Sequence, residues 1–411
     1  MNNKKRKAWP PLLGSSLALV LLTAPVTPAN EPAPVLLGID VLESQGFASL
    51  QGKQVGLITN QTGVDSRGRS TADILARAPG VKLVALFSPE HGIRGTREAG
   101  ELVGDTIDSR LHLPVYSLYG SVQKPSPEML NAIEVLVFDM QDVGARFYTY
   151  LTTMGMAMET ASQRGIGFVV LDRPNPAGGY VEGQVLDPRI QHFTAYYQIP
   201  VRHGFTAGEL AGWYNQTHKL NVSLTVIPLK NWKRDMLWDQ TGLPFVSPSP
   251  NIRNPTAALL YSGIGMFEAT NISVGRGTES PFELFGAPWM DGKILAKRLN
   301  DLALPGLHFT PVQFTPTADV YKGELCAGVR IHIRDEAAVR PIDLFVYIAC
   351  LVRELWPKEF QPRWDEVARV TGSQDFEHLY VQNKPPEDIL AVFHKDAAEF
   401  VKTRDPYLLY P

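Results

Sequence analysis

Five short apolar runs, separated by stretches of helical period, occupy the first half of the chain and constrain its fold more than any other feature. Gln54–Thr59, Val81–Phe87, Val115–Leu118, Val135–Phe138 and Gly167–Leu171 carry apolar side chains at most positions, rather than at every second one. A strand apolar on both faces belongs in a parallel sheet with helices over each face. Helices are predicted between the runs over Ser70–Ala78, Pro127–Ile133 and Tyr148–Gln163. In the first of these, Ser70 can cap, and Ile74, Leu75 and Ala78 share a face. The alternation predicts a Rossmann-like, doubly wound α/β domain over residues 30–290. Residues 175–290 are richer in Gly, Pro and Asn and are expected to be mainly loop, with a helix over Phe205–Tyr214 and a strand over Leu224–Pro228. A smaller α/β domain is expected over residues 291–411, with a helix at 293–302 and strands at 310–314 and 326–333. A second helix is predicted over Ile342–Trp356, where apolar groups recur at 342, 345, 346, 349 and 352.

The 411 residues are 44% hydrophobic and 20% charged, an ordinary globular composition. Met1–Lys7 holds four basic groups and no acid, and an apolar run from Leu12 to Ala24 follows it. This is the pattern of an export leader, cut after about residue 29, and the run is too short for a membrane anchor. Removing the leader takes the formal charge from −3 to −7. The expected mature protein is therefore periplasmic or secreted and mildly acidic, without the basic surplus that holds nucleic acid. Two cysteines, Cys326 and Cys350, are too few to define the fold; they form either one bridge or two buried thiols.

Ligands of an open parallel sheet sit beyond the carboxyl ends of its strands. The predicted strands here exit into Thr59-Asn-Gln-Thr62, Ser88-Pro-Glu-His-Gly92, Asp139-Met-Gln-Asp142 and Asp172-Arg-Pro-Asn-Pro176. Three of these four exits carry carboxylates, which turn formation alone does not require. In Ser88–Gly92 the flanking Pro89 and Gly92 hold Glu90 and His91 on a constrained turn. Partial burial beside an apolar strand raises a carboxyl pKa toward the range where it donates a proton, which makes Glu90 a candidate acid. Asp139, Asp142, Arg146, Tyr148 and Tyr150 crowd the next exit; an Asp142–Arg146 pair on a first helical turn accounts for only part of that density. Carboxylates mixed with aromatic rings suit a sugar, whose hydroxyls take polar partners and whose apolar face stacks.

Phe267–Phe282 packs Glu268, Asn271 and Arg276 into a loop broken by glycines, and Pro248–Arg253 is similar in composition, though a plain turn is the favoured reading there. No Gly-x-Gly-x-x-Gly or P-loop pattern, no His-Glu-x-x-His, no Cys-x-x-Cys and no Gly-x-Ser-x-Gly is found, and the nine histidines are scattered. No cofactor or metal is expected, with a metal site of Asp and His at the strand exits left as the minor alternative.

These motifs together resemble the exo-acting β-N-acetylmuramidases of peptidoglycan recycling, a family first catalogued as a domain of unknown function. The resemblance rests on Ser88–Gly92, Phe138–Tyr150, Leu171–Pro176, Arg202–Thr206, Ser247–Asn251, Glu268–Asn271 and Gly275–Thr278, in order along the chain. The family motif reads Glu-Gly-Thr-Asn where this chain has Glu268-Ala-Thr-Asn271. The resemblance implies a Rossmann-like domain, a smaller C-terminal domain and a cleft between them. It also implies release of N-acetylmuramic acid from the non-reducing end of β-1,4-linked peptidoglycan fragments, with Glu90 as the catalytic residue. Glycoside hydrolysis usually needs a second carboxyl group, which Asp139, Asp142, Glu101 or Glu268 can supply; participation by the substrate's own acetamido group is another route. Arg146, Arg173 and Arg276 are candidates to meet the lactyl carboxylate of muramic acid. His91, Asn60, Tyr148, Asn175, His203 and Asn271 complete the expected binding set. A non-catalytic muropeptide receptor is the alternative, since two α/β domains around a cleft also describe binding proteins.

Overall fold

The computed structural model describes residues 1, 33–90, 92–94 and 104–411. Residues 2–29 of the expected leader, His91 and Glu101 lie outside them. Seven strands form the main sheet: β1 (Gln54–Thr59), β2 (Lys82–Ser88), β3 (Thr106–Ile107), β4 (Pro114–Ser117), β5 (Val135–Asp139), β6 (Gly167–Leu171) and β7 (Leu224–Ile227). Their spatial order is β3-β4-β2-β1-β5-β6-β7, parallel throughout except for the short β3 against β4. The chain therefore moves outward from β1 to β4, returns to the other side of β1 at β5 and moves outward again. The switch in direction brings the carboxyl ends of β1 and β5 together, with Thr59 in register with Asp139.

Alternate side chains of β5 enter different cores, which is why this strand has no polar face. Val135 and Val137 pack with α1 (Gly38–Ser44) and α2 (Thr71–Arg77) on one side. Leu136 and Phe138 pack with α3 (Thr149–Arg164) and α4 (Ala207–Thr217) on the other. The predicted doubly wound α/β arrangement is present. Two local expectations are corrected. Residues 127–132 form successive turns rather than a helix: Leu130 N donates to Pro127 O and Ile133 N to Leu130 O, so the backbone bonds close three residues back instead of the four an α-helix requires. Within the stretch expected to be mainly loop lies a buried helix, α5 (Pro255–Ile264). Asn254 caps it through Ala257 N, and Pro255 occupies the first helical position.

A second sheet has the order β8-β10-β9, all antiparallel, from β8 (Leu284–Ala287), β9 (Leu307–Phe314) and β10 (Cys326–Ile333). It is followed by α7 (Pro341–Leu355), α8 (Trp364–Thr371), α9 (Asp375–Val381) and α10 (Pro386–Arg404), with α6 (Gly292–Asp301) inserted before β9. Phe285 of β8, Val329 of β10 and Phe345 of α7 belong to the same buried cluster as Phe138 of β5 and Leu260 of α5, so one core runs from the large sheet into the small one. Cys326 and Cys350 are both buried free thiols, which resolves the two sequence readings in favour of unpaired cysteines. Among the described residues no helix is long and apolar enough to cross a membrane.

Candidate active site

Glu90 leaves β2 two residues after the last strand residue, Ser88, and reaches the start of α3. There the Thr149 hydroxyl donates to Glu90 Oε2 at 2.8 Å. The carboxylate lines a cavity of about 140 Å³ whose walls include Phe147, Tyr148, Tyr261 and Phe282. Tyr148 meets Tyr150 and Tyr261 edge-on, with centroids 4.7 and 5.8 Å away, a geometry that aromatic quadrupoles favour. The Tyr148 hydroxyl is buried without a hydrogen-bond partner among the described residues, and burial holds its pKa well above the ordinary phenol value.

Arg276 forms the rim. Its guanidinium lies over the Phe282 ring, 5.4 Å from the centroid, and is paired with Glu268 and, at 3.8 Å, with Asp319. Burial works against its charge, but Glu268 more than offsets this and holds the pKa above the ordinary guanidinium value. The same arginine lines a second and larger groove of about 550 Å³, shared with Asn251, Arg253, Glu268, Thr278, Thr317 and Asp319. Gly277 at the floor has φ +75°, and a Cβ there would run into the backbone N of Ala318, so only glycine lets the two loops approach.

The turn of residues 248–253 separates the two spaces: Ser249 and Ile252 line the inner cavity, while Pro250, Asn251 and Arg253 line the outer groove. It is held from behind. The Tyr150 hydroxyl donates to Pro248 O at 2.5 Å, Gln61 Nε2 donates to Ser247 O at 2.8 Å, and Ser247 Oγ donates to the carbonyls of Ser249 and Ile252 at 2.5 and 2.8 Å.

Of the residues expected at the site, Glu90, Tyr148, Glu268 and Arg276 are thus gathered along one continuous surface. Others are not. Asp139, expected as a second catalytic carboxylate, is closed off: Arg173 Nε donates to it at 2.6 Å and the Thr71 hydroxyl at 2.5 Å. Arg173 in turn donates to Val64 O at 2.7 Å, so this buried pair ties the exits of β5 and β6 to the loop after β1 instead of facing a substrate anion. Asp142 lies behind the cavity wall, accepting from Gly144 N at 2.6 Å and standing 3.7 Å from His203 Nε2. His203 is likewise buried, with Nδ1 accepting from Phe205 N. Arg146 also faces inward, donating to the carbonyls of Gln184, Ile199, Arg369 and Val370 at 2.7–3.3 Å. Asn175 closes a turn between Phe205 O and Ala177 N, and Asn271 fastens its loop to Glu359 O and Gln361 N. Asn60 caps the turn after β1 through Thr62 and lines a separate cavity. Sequence reading did not assign Tyr261, Ser249, Asn251, Arg253, Thr278 or Thr317 to the site. The composition of Pro248–Arg253 was the available signal for three of them. No group of His, Cys, Asp and Glu able to hold a metal is found among the described residues.

The architecture is thus that of a doubly wound α/β protein with one carboxylate set among aromatic rings at a strand exit. Residues 55–256 match the N-terminal model, and residues 259–410 the C-terminal model, of the exo-β-N-acetylmuramidase NamZ family, and the chain belongs to that family. A curated relative, the peptidoglycan β-N-acetylmuramidase NamZ of Bacillus subtilis (strain 168), is 44% identical over 381 residues, spanning 92% of this chain and 91% of that protein. Two crystal structures of DUF1343-family proteins from Bacteroides fragilis NCTC 9343 are also similar. They share 41% and 30% identity with TM-scores of 0.85 and 0.74, and each match covers 92% of this chain and 99% of theirs. Both family segments contribute to the cavity, Glu90, Tyr148 and Ser249 from the first and Tyr261, Arg276 and Phe282 from the second.

Proposed function

We propose that this protein is an exo-acting glycoside hydrolase that releases N-acetylmuramic acid from the non-reducing end of β-1,4-linked peptidoglycan fragments, with Glu90 as the proton donor. The observation that carries this reading is the position of Glu90. Among the described residues it is the carboxylate that lines the aromatic cavity, and the Thr149 hydroxyl at the start of α3 fixes its direction. Cleavage needs a proton on the leaving glycosidic oxygen and support for an oxocarbenium-like centre. The carboxyl of Glu90 supplies the first, and Tyr148, Tyr261 and Phe282 give a sugar ring apolar surface to lie against. The basic and apolar run at the N-terminus supports export to the compartment that holds the cell wall.

The test uses defined disaccharides with muramic acid at one end or the other, read by mass spectrometry. Free N-acetylmuramic acid is expected only when it occupies the non-reducing end. Glu90→Gln is expected to lower kcat by about 10²–10⁴-fold, the usual worth of a positioned acid, with an unchanged unfolding midpoint. A Glu90→Gln enzyme that works at the wild-type rate removes the assignment.

A further inference from the structure

We propose that Arg253, with Asn251 beside it, is the carboxylate-binding group of the outer groove, and that it sets a preference for a terminal sugar whose substituent carries a free carboxylate. This rests on the glycosidase reading above. The family substrate is itself an anion, and a protein of formal charge −3, or −7 without its leader, has no global field to draw it in. A local cation is needed. Arg146 and Arg173 are turned inward onto carbonyls and onto Asp139. Arg276 is in the right place, but Glu268 and Asp319 are both turned onto it.

Arg253 differs from all three. It lines the groove and is exposed, and among the described residues no carboxylate pairs with it. Its Nε donates to Pro250 O at 3.0 Å and its Nη1 to Thr278 O at 3.1 Å. Those two bonds orient the guanidinium and bind it to the far wall of the groove, while three of its five N–H groups stay available for an acceptor fork. Asn251, two residues earlier on the same turn, adds a second polar group to the groove. It is only 6% exposed and lines the groove, yet its side-chain amide has no hydrogen-bond partner among the described residues. The amide stays available to an oxygen of a bound sugar or carboxylate in the groove. The turn that carries both residues also carries Ser249 and Ile252 of the inner cavity, so a carboxylate held at Arg253 is registered against the bond presented to Glu90.

Two carboxylates have this chemistry: the lactyl group of muramic acid itself, and the terminal carboxylate of a short peptide amide-linked to it. Three aryl β-glycosides separate them: N-acetylmuramide with its free lactyl carboxylate, the lactyl methyl ester, and the alanyl amide. The ratio of kcat/KM between two of these substrates does not depend on the fraction of active enzyme, so partial misfolding does not imitate the effect. For wild type the free acid is expected to be preferred over the ester. In Arg253→Met that preference falls by about tenfold, mainly through KM, the scale of one charge-assisted contact at a partly solvated site. Arg253→Lys, which keeps the charge without the planar fork, recovers part of it. If instead the alanyl amide loses its advantage over the ester, the site stands and its anion belongs to the peptide. An Arg253→Met enzyme that keeps both wild-type preferences overturns the proposal. A wild-type enzyme that cleaves none of the three overturns the glycosidase reading on which it rests.

Discussion

Arg146 illustrates how a residue's burial decides what its charge is for. Its guanidinium donates to four backbone carbonyls, two of them in α8, and burial pushes its pKa down to about 9. Among the described residues no acid pairs with it, so its task is to satisfy acceptors that the fold otherwise strands. Arg146→Met is therefore expected to cost about 3 kcal/mol or more in unfolding free energy, measured by urea titration, while kcat/KM per folded molecule changes little. A variant of wild-type stability with a raised KM would return Arg146 to the binding set. The same distinction explains what was legible at this scale. Glu90 was identifiable because a proline and a glycine fixed it at a strand tip. Asp139, Arg173 and Arg146 were placed at the site because a buried ion pair, or a buried arginine bonded to carbonyls, uses the same residue types at the same spacings as groups that face a ligand.

At the scale of elements, strands apolar on both faces were easy to read, and the parallel sheet followed from them. The buried helix α5 was not. Its sequence, Pro-Thr-Ala-Ala-Leu-Leu-Tyr-Ser-Gly-Ile, is apolar all round because it is enclosed all round, so it lacks the periodicity that marks a half-exposed helix. The Asn254-Pro255 start signal was present and would have located it. The turn of residues 248–253 was visible as a motif but indistinguishable from an ordinary turn, because its supports are remote in sequence: Gln61 and Tyr150. Tyr150→Phe removes one of those supports while keeping the ring. Its stability cost is expected to be about 1 kcal/mol, the worth of one hydrogen bond, and its loss in kcat/KM is expected to exceed tenfold because Ser249, Ile252 and Asn251 move with the turn. Equal and small losses in both would show that the turn holds its shape unaided.

Across the whole molecule, Asp172 joins distant parts of the chain. At the exit of β6 it accepts from Tyr410 OH at 2.6 Å near the C-terminus, and from the Thr206 hydroxyl and Gly208 N at the start of α4 at 2.7 and 2.8 Å. Burial pushes its carboxyl up to about 6, against the pull of those hydrogen bonds in the other direction. The folded protein then holds this proton more tightly than the unfolded chain, where the pKa is about 4. Its contribution to stability is full below about pH 4 and is lost as pH rises through about 6, amounting to about 3 kcal/mol over that window. Asp172→Asn carries no titrating proton there. The difference in unfolding free energy between wild type and variant should therefore shrink in the wild type's disfavour from pH 4 to pH 7, and a difference independent of pH would count against the assignment.

The family models divide the chain between residues 256 and 259, yet α5 runs from Pro255 to Ile264 straight across that boundary. A junction that falls within a buried helix is not a hinge, and the aromatic core it crosses has to stay shut for either half to remain folded. Tyr261 of the wall around Glu90 rides on that same helix, so the segment joining the two family halves is itself part of the cavity. Two family segments thus meet inside one element of secondary structure, and the seam of the sequence is a continuous rod in the fold.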